Sequence, residues 1–218
     1  MIVVMKKQLF TFSFVFMLVV VVSYAKTATP DYVADMAVNV TETTDTLGGI
    51  DPSLVGILLD GDREKLADDR QKALAVLDNL GSDTYGFAER TAVRRLLTAK
   101  SMRVSSGELL SYRRVRSIQV HSLGIFSYPY FSCVFRRTDG KIFFAKTSGS
   151  QRKSGYIYDN TPTSKVFMGG WSVNDDPRTT YGSENSEAGM LYKIGTNKII
   201  MLFVSKDGRS FELYELKK

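Results

Sequence analysis

The 218-residue chain carries 29 Lys and Arg against 23 Asp and Glu, a formal net charge of +6, and 44% apolar residues. Its single histidine and single cysteine exclude a His-Glu-x-x-His zinc site, an intramolecular disulfide and a Cys-x-x-Cys redox pair. The basic excess is modest and comes with no nucleic-acid-binding signature, so nucleic acid is not expected as a partner.

Lys6 and Lys7 precede an apolar run over 9–22 that ends in Ser23-Tyr24-Ala25. A charged head, a short apolar middle and small residues before a cut describe a signal peptide over 1–25, cleaved after Ala25. A retained anchor is the rival reading, but 9–22 is shorter than the roughly 20 residues that cross a bilayer as a helix. The expectation is a periplasmic or secreted protein with no stable membrane span after cleavage. Losing Lys6 and Lys7 lowers the net charge of +6 by two, to +4.

Residues 26–60 are rich in Thr and Asp, with Gly48-Gly49 and Asp51-Pro52 as breakers before the apolar stretch 54–59. They read as a poorly ordered leader with one docking turn, ahead of a single globular domain over 61–218.

From Asp62 the period becomes helical: Leu66, Ala73, Leu77 and Leu80 recur among charged residues, and Gly81 ends the pattern. Ser82 and Asp83 then suit the cap of a second helix, with Phe87, Ala88, Ala92, Val93, Leu96 and Leu97 as its apolar stripe. The short link predicts an antiparallel helical hairpin over 61–101. Arg90, Arg94 and Arg95 read as its solvated face.

Beyond Gly107 short β-like runs take over: 109–120, 126–137, 142–147, 156–158, 166–168, 189–194, 199–205 and 211–216. Asp139-Gly140 and Asp207-Gly208 are pairs that tight hairpin turns favour, and Gly195-Thr196-Asn197 is a third reversal. The fold class is therefore α+β: an N-terminal helical hairpin packed on a mostly antiparallel β-barrel, or barrel-like sheet, of about eight strands over 105–218. Residues 199–204 are apolar on both faces, so something must cover the outer one, and the helices supply a matching stripe.

The inventory of reactive groups is thin. Cys133 alternates with Phe131 and Phe135 and reads as a small buried hydrophobe, either free or paired between chains. A serine triad could use only His121, and no nucleophile elbow accompanies it. Ser150-Gln151-Arg152-Lys153 fits a Ser-x-x-Lys pattern, but in an inter-strand turn rather than at a helix start, which points to coincidence. Asp175, Asp176, Glu184 and Glu187 match no calcium-loop spacing and read as a solvated acidic loop.

The stretch SGSQRKSGYIYD over 148–159 leaves two readings open. Gly149 and Gly155 can let backbone N–H groups converge while Arg152 supplies a forked donor, making an anion pocket from Gln151, Arg152 and Ser154, rimmed by Tyr156 and Tyr181. Alternatively Gln151 and Arg152 tie a loop to neighbouring carbonyls and the glycines only permit the bend.

Tyr128-Pro129-Tyr130-Phe131-Ser132-Cys133, the segment Gly149-Ser150-Gln151-Arg152-Lys153-Ser154-Gly155, Val166-Phe167-Met168-Gly169, Tyr181-Gly182, Ala188-Gly189, Ile194-Gly195 and the closing Glu212-Leu213-Tyr214-Glu215-Leu216 together resemble an uncharacterised family of exported bacterial domains, domain of unknown function 4893. The resemblance spans about 62–216. It implies an exported bacterial domain and carries no assigned reaction. Members commonly hold a cysteine in a Tyr-Arg-Cys-Arg stretch; here Tyr112-Arg113-Arg114-Val115 stands in its place, so the resemblance implies that Cys133 survives from a lost disulfide.

The leading expectation is an exported, non-catalytic binding or inhibitor-like module of the bacterial envelope, engaging an unknown envelope protein or a small anionic ligand, with no cofactor, metal or catalytic residue. One alternative is an envelope hydrolase using the 148–159 stretch, Arg152 and a distant acid such as Asp159. The other is a structural envelope protein that pairs through its helices.

Overall fold

The computed structural model describes residues 49–218. The signal peptide expected at 1–25 and the leader up to residue 48 lie outside the described residues.

Nine strands follow in chain order: β1 (Arg114–His121), β2 (Gly124–Ser127), β3 (Phe131–Thr138), β4 (Lys141–Lys146), β5 (Gln151–Thr161), β6 (Ser164–Val173), β7 (Ser186–Gly195), β8 (Lys198–Val204) and β9 (Phe211–Lys217). Neighbours pair antiparallel throughout, and β1 pairs with β9 from Arg114↔Lys217 to Val120↔Phe211. β1 and β3–β9 therefore close into an eight-strand antiparallel barrel. The ninth strand, β2, hairpins onto the far half of β1, which leaves β1 only two register pairs with β3: Arg114↔Ser132 and Val115↔Phe131.

Local sequence explains the reversals. Asp139 and Gly140 between β3 and β4 both have positive φ, 52° and 77°. That is the two-residue turn whose twist matches the flanking strands. Two expected strands are corrected. The run from residue 109 begins in a helix, α5 (Ser106–Leu109), where the Ser105 hydroxyl accepts the Glu108 N–H at 3.2 Å. The run 126–137 divides around Pro129, which has no N–H to give a ladder.

Inside the barrel four aromatic rings close a circuit of edge-on and tilted contacts. Centroid distances are 6.2 Å for Phe144–Phe167, 5.5 Å for Phe167–Phe203, 5.4 Å for Phe203–Tyr214 and 6.3 Å for Phe144–Tyr214. Room for them comes from small residues in β5 and β6. A Cβ on Gly155 would stand 2.4 Å from the Met168 carbonyl oxygen, and one on Gly169 would stand 2.1 Å from that of Ser154. Only hydrogen fits at either position. Val104, Leu109 and Tyr112 complete the core cluster from the segment that leads into β1.

Outside, α1 (Pro52–Val55), α2 (Asp62–Leu66), α3 (Asp69–Asp78) and α4 (Arg90–Thr98) cover one side of the wall. Ile50, Leu54 and Leu66 pack on Val166, Met168, Ala188 and Met190 of β6 and β7. Ala73, Val76, Leu77, Val93 and Leu97 pack on Ile200, Leu202, Leu213 and Ile118 of β8, β9 and β1. Burial of such side chains stabilises by about 1.5–3 kcal/mol each before conformational entropy is subtracted.

The residues differ from the sequence pattern in three ways here. The first helix is broken at Asp68, which adopts a left-handed φ of 52°. The second starts at Arg90 after a 3₁₀ turn (Phe87–Glu89), so Ser82 and Asp83 are not its caps, and Ala88 and Ala92 are exposed. Arg90 and Arg94 are half-buried and both pair with Asp78, while the Arg90 Nε donates to the Leu77 carbonyl at 3.0 Å. At the other end Arg70 donates to the Ala99 carbonyl at 2.8 Å, so the start of α3 lies beside the end of α4. Within the expected leader, Ile50 and Leu54 are buried, and the Asp51 N–H donates to Asn160 at 2.6 Å. Among the described residues no helix is long and apolar enough to cross a membrane.

Candidate functional site

Strand alternation decides where each expected site residue points, and it separates them. The 148–159 stretch is mostly β5, not a loop. Lys153, Gly155 and Ile157 belong to the inner face, Arg152, Ser154 and Tyr156 to the outer. Gln151 sits at the rim, where its side-chain oxygen accepts from Gln119 at 2.7 Å. Arg152 donates from Nε to the Gly149 carbonyl at 2.8 Å and pairs at 3.2 Å with Asp175, whose side chain is 96% exposed. Ser154 is buried next to Arg152, and Tyr156 packs edge-on against Phe143 at 5.2 Å. Tyr181 is elsewhere: its hydroxyl donates to Asp62 at 2.6 Å and accepts the Leu59 N–H at 2.9 Å, so burial pushes its pKa up, with the Asp62 bond adding to the shift. The five residues do not share one site: Arg152 and Ser154 line a cleft of about 230 Å³ with Lys146 and Arg178, while Gln151, Tyr156 and Tyr181 lie outside it. The Arg152–Asp159 pair of the hydrolase reading also fails to meet, because seven residues of strand separate them by about 23 Å and Asp159 pairs with Lys165.

What the chain does assemble is a charged mouth on the aromatic plug. Lys153 Nζ lies 3.0 Å from Glu187 and 3.2 Å from Glu212, and 4.6 Å from the Phe203 ring centroid. Lys65 of α2 reaches in to the other oxygen of Glu187, and Ser117 donates to Glu212. Burial pulls the Lys153 ammonium down, but Glu212 and Glu187 outweigh it and hold the pKa above the ordinary lysine value. Burial likewise pushes Glu187 up, and Lys153 and Lys65 overcome it, leaving the carboxylate below its usual range. An open cleft of about 380 Å³ lies over this floor, with Gln119, His121 and Lys206 among its walls.

Lys146 is the neighbouring interior cation, and among the described residues it forms no salt bridge. Its ammonium donates to the Gln151 carbonyl at 2.6 Å and faces the rings of Phe131 and Tyr214 at 4.7 and 5.9 Å. Burial lowers its pKa despite the field of Glu212.

The remaining candidates take structural places. His121 stacks on Phe126 at 5.0 Å and accepts the Leu123 N–H at 3.4 Å; among the described residues no serine, cysteine or carboxylate bonds to it. Lys153 cannot be a neutral base for Ser150 while two carboxylates hold it charged. Glu187 leaves the supposed acidic loop for the barrel interior, and among the described residues no cluster of His, Cys, Asp and Glu fits a metal. Cys133 is buried, and burial pushes its thiol up to about 12. Its N–H bonds the Arg113 carbonyl at 2.8 Å, so by register Arg113 rather than Arg114 stands opposite it.

Asp62, Lys65 and Glu187 escaped sequence reasoning because charged residues on an amphipathic helix and in an acidic loop normally face water. The available signal was the inner-face parity of Lys153 and Glu212, which places charges inside a barrel and so demands partners.

Among solved structures, a redesigned β-barrel is similar at 15% identity and a TM-score of 0.37, covering 55% of this chain and 98% of the other. No curated protein matches. The sequence pattern of a family described as "Domain of unknown function (DUF4893)" matches residues 56–216, and the chain belongs to that family.

Proposed function

We propose that this is an exported, non-catalytic binding module of the bacterial envelope, a barrel braced by a helical hairpin, whose mouth cleft receives a small anionic ligand or an acidic group of a partner protein. One observation carries the reading: the cleft of about 380 Å³ opens on a floor whose ionised groups are already paired to one another. Such a floor is preorganised for recognition, and its carboxylates are held by Lys153, Lys65 and Ser117 rather than left free for proton transfer. Lys65, Lys153 and Lys206 against Glu187 and Glu212 give the lining a surplus of one positive charge. The N-terminal features at 1–25 support export.

The test is titration of the full chain with acetate, citrate and inorganic phosphate, followed by amide NMR shifts. Shifts centred on Gln119, Lys206 and Ser210, and lost in Ser210→Trp, are the expected result. A second observation favours an enzyme: Lys146 is an interior amine of lowered pKa that pairs with no carboxylate among the described residues. Turnover of a chromogenic ester panel that disappears in Lys146→Met would replace binding with catalysis.

A further inference from the structure

A second cleft, of about 320 Å³, lies where the α2–α3 break meets the outer face of β6 and β7. Asp69, Arg70 and Tyr192 form its polar side, with Asp68, Thr161 and Ser164 around them. Asp69 is 4% exposed. Its Oδ1 accepts the Tyr192 hydroxyl at 2.7 Å, but its Oδ2 is buried with no side-chain or backbone hydrogen-bond partner of good geometry among the described residues. The Arg70 guanidinium lies 4.0 Å over the Tyr192 ring; its Nη1 serves the Ala99 carbonyl, and its Nε and Nη2 are buried without partners among the described residues. Adjacent residues thus hold one orphaned acceptor and two orphaned donors.

A buried polar atom left without a partner costs stability, and folded proteins contain few of them. Three such atoms on two consecutive residues lining one cleft have the character of a site that awaits its complement. The complement must donate to Asp69 and accept from Arg70. Sulfate or an ionised carboxylate cannot donate, and any anion, phosphate included, would meet the charge of Asp68 as well as that of Asp69. Hydroxyl groups on neighbouring carbons donate and accept at once. The Tyr192 face is already occupied by Arg70, so recognition here runs through hydrogen bonds rather than ring stacking.

We propose that this cleft binds a small neutral polyhydroxylated ligand of saccharide type, with Asp69 Oδ2 accepting from one hydroxyl and the Arg70 fork donating to its neighbour. The site is separate from the barrel mouth and stands or falls independently of it. Supporting this, burial pushes the Asp69 carboxyl up to about 6, against the Tyr192 hydrogen bond, the Arg70 backbone N–H and the charges of Arg70 and Lys72, with Asp68 also nearby. A ligand hydroxyl that donates to the ionised form binds better as pH rises through that value.

The experiment is calorimetric titration of the full chain with glucose, N-acetylglucosamine and myo-inositol, beside glycine and inorganic phosphate, together with thermal melts. At least one polyol binds at pH 7.5 and weakens at pH 5. Asp69→Asn and Arg70→Met each weaken it by about tenfold or more, the worth of one hydrogen bond to a charged group. Asp69→Asn, relieved of an unpartnered charge, melts no lower than the parent. The proposal is overturned if no polyol binds, if binding survives both substitutions, or if glycine or phosphate binds in place of the polyols. A fall of several degrees in the melting temperature of Asp69→Asn also overturns it, since the carboxylate would then be structural.

Discussion

The barrel wall has two unlike halves. Around β6–β9 and β1 the outer face is apolar and lies under helices, whereas around β3–β5 it carries side chains that cover one another. On that second half Arg136 and Arg178 flank the Phe143 ring at 5.0 and 5.6 Å, and Lys141 lies 5.5 Å from the centroid of Tyr158. The inner face carries the apolar core in both halves, interrupted at the mouth by Lys146, Lys153, Glu187 and Glu212. The cylinder alone thus demands only inward apolar residues, and the outer alternation records whether something is packed there. Cation–aromatic layers are the solution where no helix arrives, each such contact being worth about 0.5–1 kcal/mol when exposed.

The largest expected effect belongs to the residue where the covered half reaches inside. Lys153→Met leaves Glu187 and Glu212 without their common cation and should cost about 3–5 kcal/mol in urea unfolding at pH 7. The pH profile should change with it. Because the folded Glu187 pKa lies below its ordinary 4.5, its contribution is present above that value and is lost as pH falls through the lowered one. Because the Lys153 pKa lies above 10.5, its contribution is full below that pH and is lost as pH rises through the raised value. The variant should lose the alkaline slope and weaken the acidic one, which Lys65 still supports at Glu187. A loss under about 1 kcal/mol would make the mouth an ordinary surface pair.

Next comes Leu202→Ala, under the helices on the covered half, with an expected cost of about 2–5 kcal/mol by the same measurement. If it costs no more than its counterpart on the other half, the helices do not seal the wall. A smaller effect is expected there: Phe143→Ala, half-exposed between its two arginines, should cost less than about 2 kcal/mol. Adjacent to Lys153 but facing outward, Arg152→Ala should fall within about 1 kcal/mol, since its partner Asp175 is almost wholly exposed.

These contrasts also explain what could be read from residues alone. The closed antiparallel architecture was legible, because Asp139-Gly140 and Asp207-Gly208 fix hairpins by backbone chemistry and 199–204 is apolar on both faces. The 148–159 stretch misled for a physical reason. Ser, Gly, Lys and Arg have the composition of a turn, yet Gly155 is there because β5 and β6 approach too closely for a side chain, not because the chain bends. Tyr181 was grouped with Arg152 by chemical type, but its partner, Asp62, lies 119 positions away in sequence, beyond the reach of any local pattern. The buried Asp69 was invisible for the same reason: its environment is created by Tyr192 across the helix–sheet junction.

The seam between β1 and β3 has a practical consequence. Only two register pairs stitch it, against seven between β1 and β9. Opening of the cylinder along this line would break the fewest ladder pairs, and it is the expected place for local opening. Cys133 stands directly beside it as the chain's sole thiol. Alkylation of that sulfur reports gate-like excursions of the native state with no engineered label, and its rate clocks how often the stave parts from its neighbour.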